Sequence, residues 1–120
     1  TLLVSGGFTF FTDKMKEVLG LDYTRSNTLE IVDGHLTGRV LGTIVDADVK
    51  RETVLETCDM LGCDSSQAIV VGDGSNDLKM MEIAGASVAF RAKPVVQEKT
   101  DFCINQGGLD SICKWFEANI

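Results

Sequence analysis

Apolar and polar positions along the 120 residues switch between two periods, and each change of period marks an element. Thr1–Val4 is apolar and predicts a short strand running straight into Ser5-Gly6-Gly7-Phe8. Behind it Phe11, Met15, Val18 and Leu19 recur at helical spacing, a core-facing stripe closed by Gly20. Phe10 and Phe11 read as packing residues rather than a stacking platform. Leu29–Val32, Asp33-Gly34 and Leu36–Val45 predict a β-hairpin, because Asp-Gly supplies the positive φ angles of a tight turn. Leu29 and Ile31, then Leu36, Gly38 and Val40, suggest one covered face, with His35 a solvated neighbour of the turn. Val54, Cys58 and Leu61 mark a helix that Asp48 caps and Gly62 ends. Ala68–Val71 is uninterrupted and reads as a strand buried on both faces. A short helix over 78–84, a strand at Ser87–Phe90, a helix turn opened by Pro94 and a strand at Asp101–Ile104 follow. After Gly107-Gly108, Leu109, Ile112, Cys113 and Phe116 predict a last core-facing helix.

Strands alternating with helices predict an α/β fold with a mainly parallel sheet, interrupted by a hairpin excursion at about 28–46. The length suits one domain, and 44% apolar residues supply a modest core. A formal charge of −7 argues against nucleic acid or an anionic membrane as partner. No apolar run nears the ~20 residues of a membrane span, and nothing resembles a signal peptide. The cysteines, Cys58, Cys63, Cys103 and Cys113, form no CxxC pair, and His35 is the single histidine. Reduced, mostly buried thiols of a cytoplasmic protein are therefore expected rather than a zinc site. Because Thr1 already lies inside an apolar run, the chain is expected to be part of a longer polypeptide.

The candidate chemistry lies where strands end. Gly72-Asp73-Gly74-Ser75-Asn76-Asp77 follows the central strand, the position at which open α/β sheets bind ligands. Two carboxylates there, with few cations nearby in sequence, call for a divalent metal, and hard oxygen ligands favour Mg²⁺. A dinucleotide fingerprint would need glycine in place of Asp77. An EF-hand fails because Leu78 holds its glycine position and Ala84 its glutamate position. The plainer alternative makes Asp73 a turn former and Asp77 a helix-start acid. Ser5-Gly6-Gly7 is either an anion-binding turn, with amides and the Ser5 hydroxyl aimed at phosphate, or an ordinary glycine-rich connection. Lys50 sits unfavourably in a first helical turn, which a phosphate or carboxylate partner would explain and a solvated surface role would not need. Asp46-Ala-Asp48 suggests a nucleophile loop, but Lys50 stands where such loops carry a small hydroxyl residue.

Together, Ser5-Gly-Gly-Phe8, Lys50 and Gly72-Asp-Gly-Ser-Asn-Asp77 resemble motifs II, III and IV of the haloacid-dehalogenase superfamily. Ser26-Asn-Thr-Leu-Glu30 and Ala92-Lys-Pro94 extend the similarity over nearly the whole chain. The nearest resemblance is to members that hydrolyse O-phospho-L-serine to serine and phosphate, a step of serine biosynthesis. It implies a three-layer Rossmann-like core, Mg²⁺ and attack on phosphorus by an aspartate. By motif, Ser5 and Gly6 would bind phosphate oxygens and Lys50 would steady phosphate and nucleophile. Asp73 would be a metal ligand, Asp77 a ligand or its support, and Asn76 a phosphate or substrate contact. The family's motif I, a DxDx(T/V) loop that supplies the nucleophile, is absent, as is the helical cap that selects substrate. The core is therefore expected to be incomplete, a C-terminal portion inactive alone, with the missing N-terminal half as its partner and a homodimer possible. Another small-molecule phosphatase of the superfamily, a domain like that of ion-pumping ATPases, or a non-catalytic metal-binding domain are the alternatives.

Overall fold

The computed structural model describes residues 1–119; of the span 1–120 expected as part of one core domain, residue 120 lies outside the described residues. The chain forms two compact units, Thr1–Thr53 and Val54 onward.

The first unit contains β1 (Leu2–Phe8), α1 (Thr9–Leu19), β2 (Tyr23–Val32) and β3 (His35–Leu41). Its sheet has the order β1-β2-β3. α1 is the crossover between parallel β1 and β2, and β2 turns back antiparallel into β3. The turn is the expected one, with φ of 53° at Asp33 and 76° at Gly34. β1 is longer than its apolar run. It continues through Ser5-Gly6-Gly7 to Phe8, with a shift of register between Val4 and Phe8. Ser5 Oγ accepts the Gly7 N–H at 3.0 Å, so a local hydroxyl bond bulges the strand where a turn was expected.

α1 also departs from its pattern. Phe11, Met15, Val18 and Leu19 are all exposed, and the buried residue is Thr12, whose Oγ1 lies 2.6 Å from Ser26 Oγ. Phe10 and Phe11 meet edge to face at 5.1 Å. With Leu29, Ile31 and Leu36 they border an open cleft of about 410 Å³ rather than a closed core. The hairpin tip is likewise exposed on both faces, His35 included.

α2 (Ala47–Leu61) starts earlier than expected. Asp46, not Asp48, is its N-cap: Asp46 Oδ1 accepts the Val49 N–H at 2.9 Å, while Asp48 lies inside the first turn. Val54 and Cys58 are buried and Lys50 with them, whereas Leu61 is exposed.

In the second unit, Asp64 caps a 3-10 turn at Ser65–Gln67 that leads into β4 (Ile69–Gly72). A 3-10 turn at Ser75–Asp77 and α3 (Leu78–Glu82) return the chain to β5 (Ala86–Phe90). α4 (Pro94–Gln97), with Pro94 in its first turn, leads to β6 (Phe102–Ile104), and α5 (Asp110–Asn119) follows. The sheet is fully parallel in the order β4-β5-β6. Val88 and Ala89 of the central strand are wholly inaccessible, and Val70, Met80, Met81 and Val96 join them. β4 is one of the two edge strands, and Ile69 is exposed, so β4 is not covered on both faces. α5 is held by Trp115 and Phe116, whose rings lie 4.0 and 6.0 Å from that of Phe102. That aromatic anchorage turns the helix so that Leu109 and Cys113 stay exposed. All four thiols are free, and of them only Cys58 is buried, fewer than expected. Among the described residues no helix is long and apolar enough to cross a membrane.

Candidate active site

The Gly72–Asp77 loop leaves the carboxyl end of β4, and its geometry separates the two acids. Asp77 is only 5% exposed. Its Oδ2 accepts the backbone N–H groups of Asp73 at 3.1 Å and Gly74 at 3.2 Å. Asp77 N–H in turn donates to Gly74 O at 3.0 Å, opening the 3-10 turn. One buried carboxylate thus folds the loop back on itself. The cost of burying it is offset by these amide donors, the arrangement buried anions require.

Asp73 is exposed, and its carboxylate has no protein partner among the described residues. Its carbonyl accepts the Lys93 N–H at 3.3 Å, which ties the loop to the Ala92-Lys93-Pro94 turn. Gly72 must be glycine for space rather than torsion. A Cβ there would lie 2.6 Å from Asp77 Cβ and 2.9 Å from Met81 Sδ. Asn76 is exposed on the same loop. Asp73, Asn76 and Asp77 are therefore brought together as one local construction. Their loop offers a hard cation one open carboxylate and one braced carboxylate. No group of three His, Cys, Asp or Glu side chains able to hold a metal exists among the described residues.

The first unit holds Ser5, Gly6 and Lys50. Ser5 Oγ is engaged with the Gly7 amide, and Gly6 is exposed at the β1 bulge. Lys50 is 6% exposed, in the first turn of α2. A buried ammonium has to be compensated by hydrogen bonds or opposite charge, so Lys50 is not the solvated surface lysine of the plainer reading.

Asn27 is a residue whose role the sequence pattern did not disclose. It is 7% exposed within β2. Its Nδ2 donates to Gly6 O at 3.0 Å, and its Oδ1 accepts the Val45 N–H at 2.8 Å. One side chain therefore fastens the β1 bulge to the segment that enters α2. The available signal was an asparagine at mid-strand, a position such residues occupy poorly unless the side chain is used.

The family model for haloacid dehalogenase-like hydrolases matches residues 13–116. This chain belongs to that family. It is 57% identical over 115 residues to a phosphoserine phosphatase of Polaromonas sp. (strain JS666), covering 92% of this chain and 49% of that protein. The structure of a probable phosphoserine phosphatase from Vibrio cholerae superposes with a TM-score of 0.94 at 44% identity, over 98% of this chain and 36% of that one. A phospho-aspartyl intermediate analogue of phosphoserine phosphatase gives 0.88 at 41% identity, over 95% of this chain and 55% of that one. The α/β fold inferred from the alternating pattern is thus the family's. The chain spans about half the length of the curated relatives it matches. The family implies a divalent metal cofactor, and the open Asp73 carboxylate beside braced Asp77 fits a share of such a site.

Proposed function

We propose that this chain is the metal-acid and phosphate-binding portion of a phosphatase that hydrolyses O-phospho-L-serine to L-serine and phosphate. The single observation behind the reading is the Gly72–Asp77 loop. A buried Asp77 carboxylate holds the backbone, so that Asp73 stands open at the end of a parallel strand. Asp73 would hold Mg²⁺, with Asp77 fixing the loop that carries it. When bound, the cation supplies charge to the transferring phosphoryl group. Lys50 adds a positive charge for the phosphate and the attacking carboxylate. Ser5 and the Gly6 N–H donate to phosphate oxygens, and Asn76 contacts the phosphate or substrate.

The nucleophile in this reading is an aspartate outside these 120 residues. Its carboxylate attacks phosphorus while a general acid of the same loop protonates the leaving serine oxygen, and water, giving its proton back to that group, then cleaves the aspartyl-phosphate. The phospho-aspartyl analogue of a relative that matches 95% of this chain supports that route. The same reading places the enzyme in cytoplasmic serine biosynthesis. It also makes the chain inactive by itself, in need of an N-terminal segment that carries the nucleophile and a substrate-selecting cap. β1 and β4 each stand at the edge of their own sheet, with one ladder side available to a further strand.

The test is phosphate release from L-phosphoserine by this chain mixed with the N-terminal half of a full-length relative, with each half alone and Asp73→Asn as controls. Turnover only in the wild-type mixture, and only with Mg²⁺, is expected. Turnover by this chain alone would sink the division of labour. A folded complex that is silent on phosphoserine but hydrolyses another phosphomonoester would reassign the substrate.

A further inference from the structure

The end of α2 carries a pair of thiols. Gly62 takes φ of 72°, its N–H donates to Asp59 O at 3.1 Å, and the Cys63 N–H donates to Cys58 O at 3.0 Å. These two bonds around a left-handed glycine define a Schellman cap, in which the residue after the glycine packs on the side chain five positions earlier. Here both residues are cysteine. The cap therefore puts cysteines at the two positions whose side chains commonly meet in an apolar contact at such helix ends. Cys58 is 8% exposed and Cys63 only half-buried. Burial first, and the adjacent Cys63 thiol second, push the Cys58 thiol up.

We propose that Cys58 and Cys63 are a dithiol modification site, oxidised to an intrachain disulfide by low-molecular-weight disulfides such as glutathione disulfide. The accessible Cys63 loses its proton and attacks one sulfur of the reagent. A mixed disulfide forms and one glutathione thiolate leaves. Cys58, held beside it, then loses its proton to solvent and attacks Cys63 Sγ, expelling the second glutathione. Two protein S–H bonds are exchanged for one S–S bond, and the reagent is reduced to two thiols. Burial keeps Cys58 from acting as the first nucleophile, because the thiolate is the reactive form. Cys103 and Cys113 are exposed on β6 and α5, outside this cap, and stop at the mixed disulfide. The new bond would clamp the end of α2 to the start of the connection that Asp64 caps and that leads into β4. The inference does not depend on the phosphatase reading.

The two cysteines report together, because no Lys or Arg stands between Arg51 and Lys79 and trypsin leaves both on one peptide. The chain is treated with glutathione disulfide, quenched in acid, blocked with N-ethylmaleimide, digested and weighed. The expected 52–79 peptide is lighter by two hydrogens and carries neither label. It takes two maleimides if dithiothreitol precedes blocking. The ratio of this disulfide to the Cys63 mixed disulfide is expected to be about tenfold higher in the folded chain than in concentrated urea, as the cap raises the effective concentration of Cys58. In Cys63→Ser, Cys58 is expected to remain a free thiol. A persistent glutathione adduct on Cys63 beside a maleimide-labelled Cys58, or an equal ratio in urea, overturns the proposal. So does a fully labelled 52–79 peptide after Cys103 and Cys113 have reacted.

Discussion

Replacing Asn27 by alanine tests how the first unit is held together. The substitution removes the donor to Gly6 O at 3.0 Å and the acceptor of the Val45 N–H at 2.8 Å, at a position 7% exposed. Val45 is itself buried, so its orphaned N–H gains no easy access to water, whereas Gly6 is exposed and its carbonyl can turn to solvent. Leaving a buried polar group unsatisfied costs about 1–3 kcal/mol, and the buried Val45 N–H sets that scale for the loss. Urea unfolding followed by far-ultraviolet circular dichroism measures the total. Hydrogen exchange at the Val45 amide isolates the local part, since that amide should lose most of its protection.

Asn27→Asp sharpens the test. Its carboxylate can still accept from Val45, but it places an anionic oxygen against the Gly6 carbonyl. At neutral pH it should therefore be at least as damaging as alanine. Burial and the facing carbonyl favour the neutral form of that carboxyl, so the deficit should shrink as pH falls and the acid becomes a donor to Gly6. A loss below about 0.5 kcal/mol in Asn27→Ala, or unchanged Val45 exchange, would refute the reasoning, since surface substitutions already fall in that range.

Other expectations follow from single contacts. Asp46→Ala should cost α2 about 1 kcal/mol by thermal unfolding, the usual worth of an N-cap, with Asp48→Ala costing less. Gly72→Ala forces a methyl into the space of Asp77 Cβ and Met81 Sδ and should destabilise by about 1–3 kcal/mol, read in denaturant. Asp64, capping the turn before β4, has its pKa held below the ordinary 3.8 by hydrogen bonds from Ser66. Its small stabilisation is complete above that value and should fade as pH drops through the lowered one. Asp64→Asn should retain the cap and lose only this acid dependence, checked by unfolding midpoints at neutral and acid pH. Asp73→Asn should abolish metal-dependent turnover in the reconstituted mixture while leaving the fold intact, because its carboxylate has no protein partner among the described residues.

Much of the fold was legible in the sequence because local rules dominate there. Gly20, Gly34 and Gly62 lie where left-handed φ is required, Asp33-Gly34 makes the hairpin, and Pro94 opens α4. The Gly72–Asp77 loop was readable as a candidate site because its spacing ties two acids to one strand end. What the pattern misjudged were faces. Periodicity shows which residues share a side of α1 or α5, but not what that side meets. Phe11, Val18 and Leu19 ended exposed while Thr12 was buried on Ser26, and three aromatic rings decided the seat of α5. Likewise the apolar run in β4 could not announce that this strand stands at an edge.

The sequence by itself determined the α/β element order, the family motifs and the absence of a motif I nucleophile, all properties of residues close in the chain. Only tertiary structure decided that Asp77 braces the loop while Asp73 stays open, that Asn27 joins Gly6 to Val45, and that Lys50 is buried. Those outcomes depend on hydrogen bonds and burial set by chain geometry, with partners up to 21 residues apart, which no local pattern encodes.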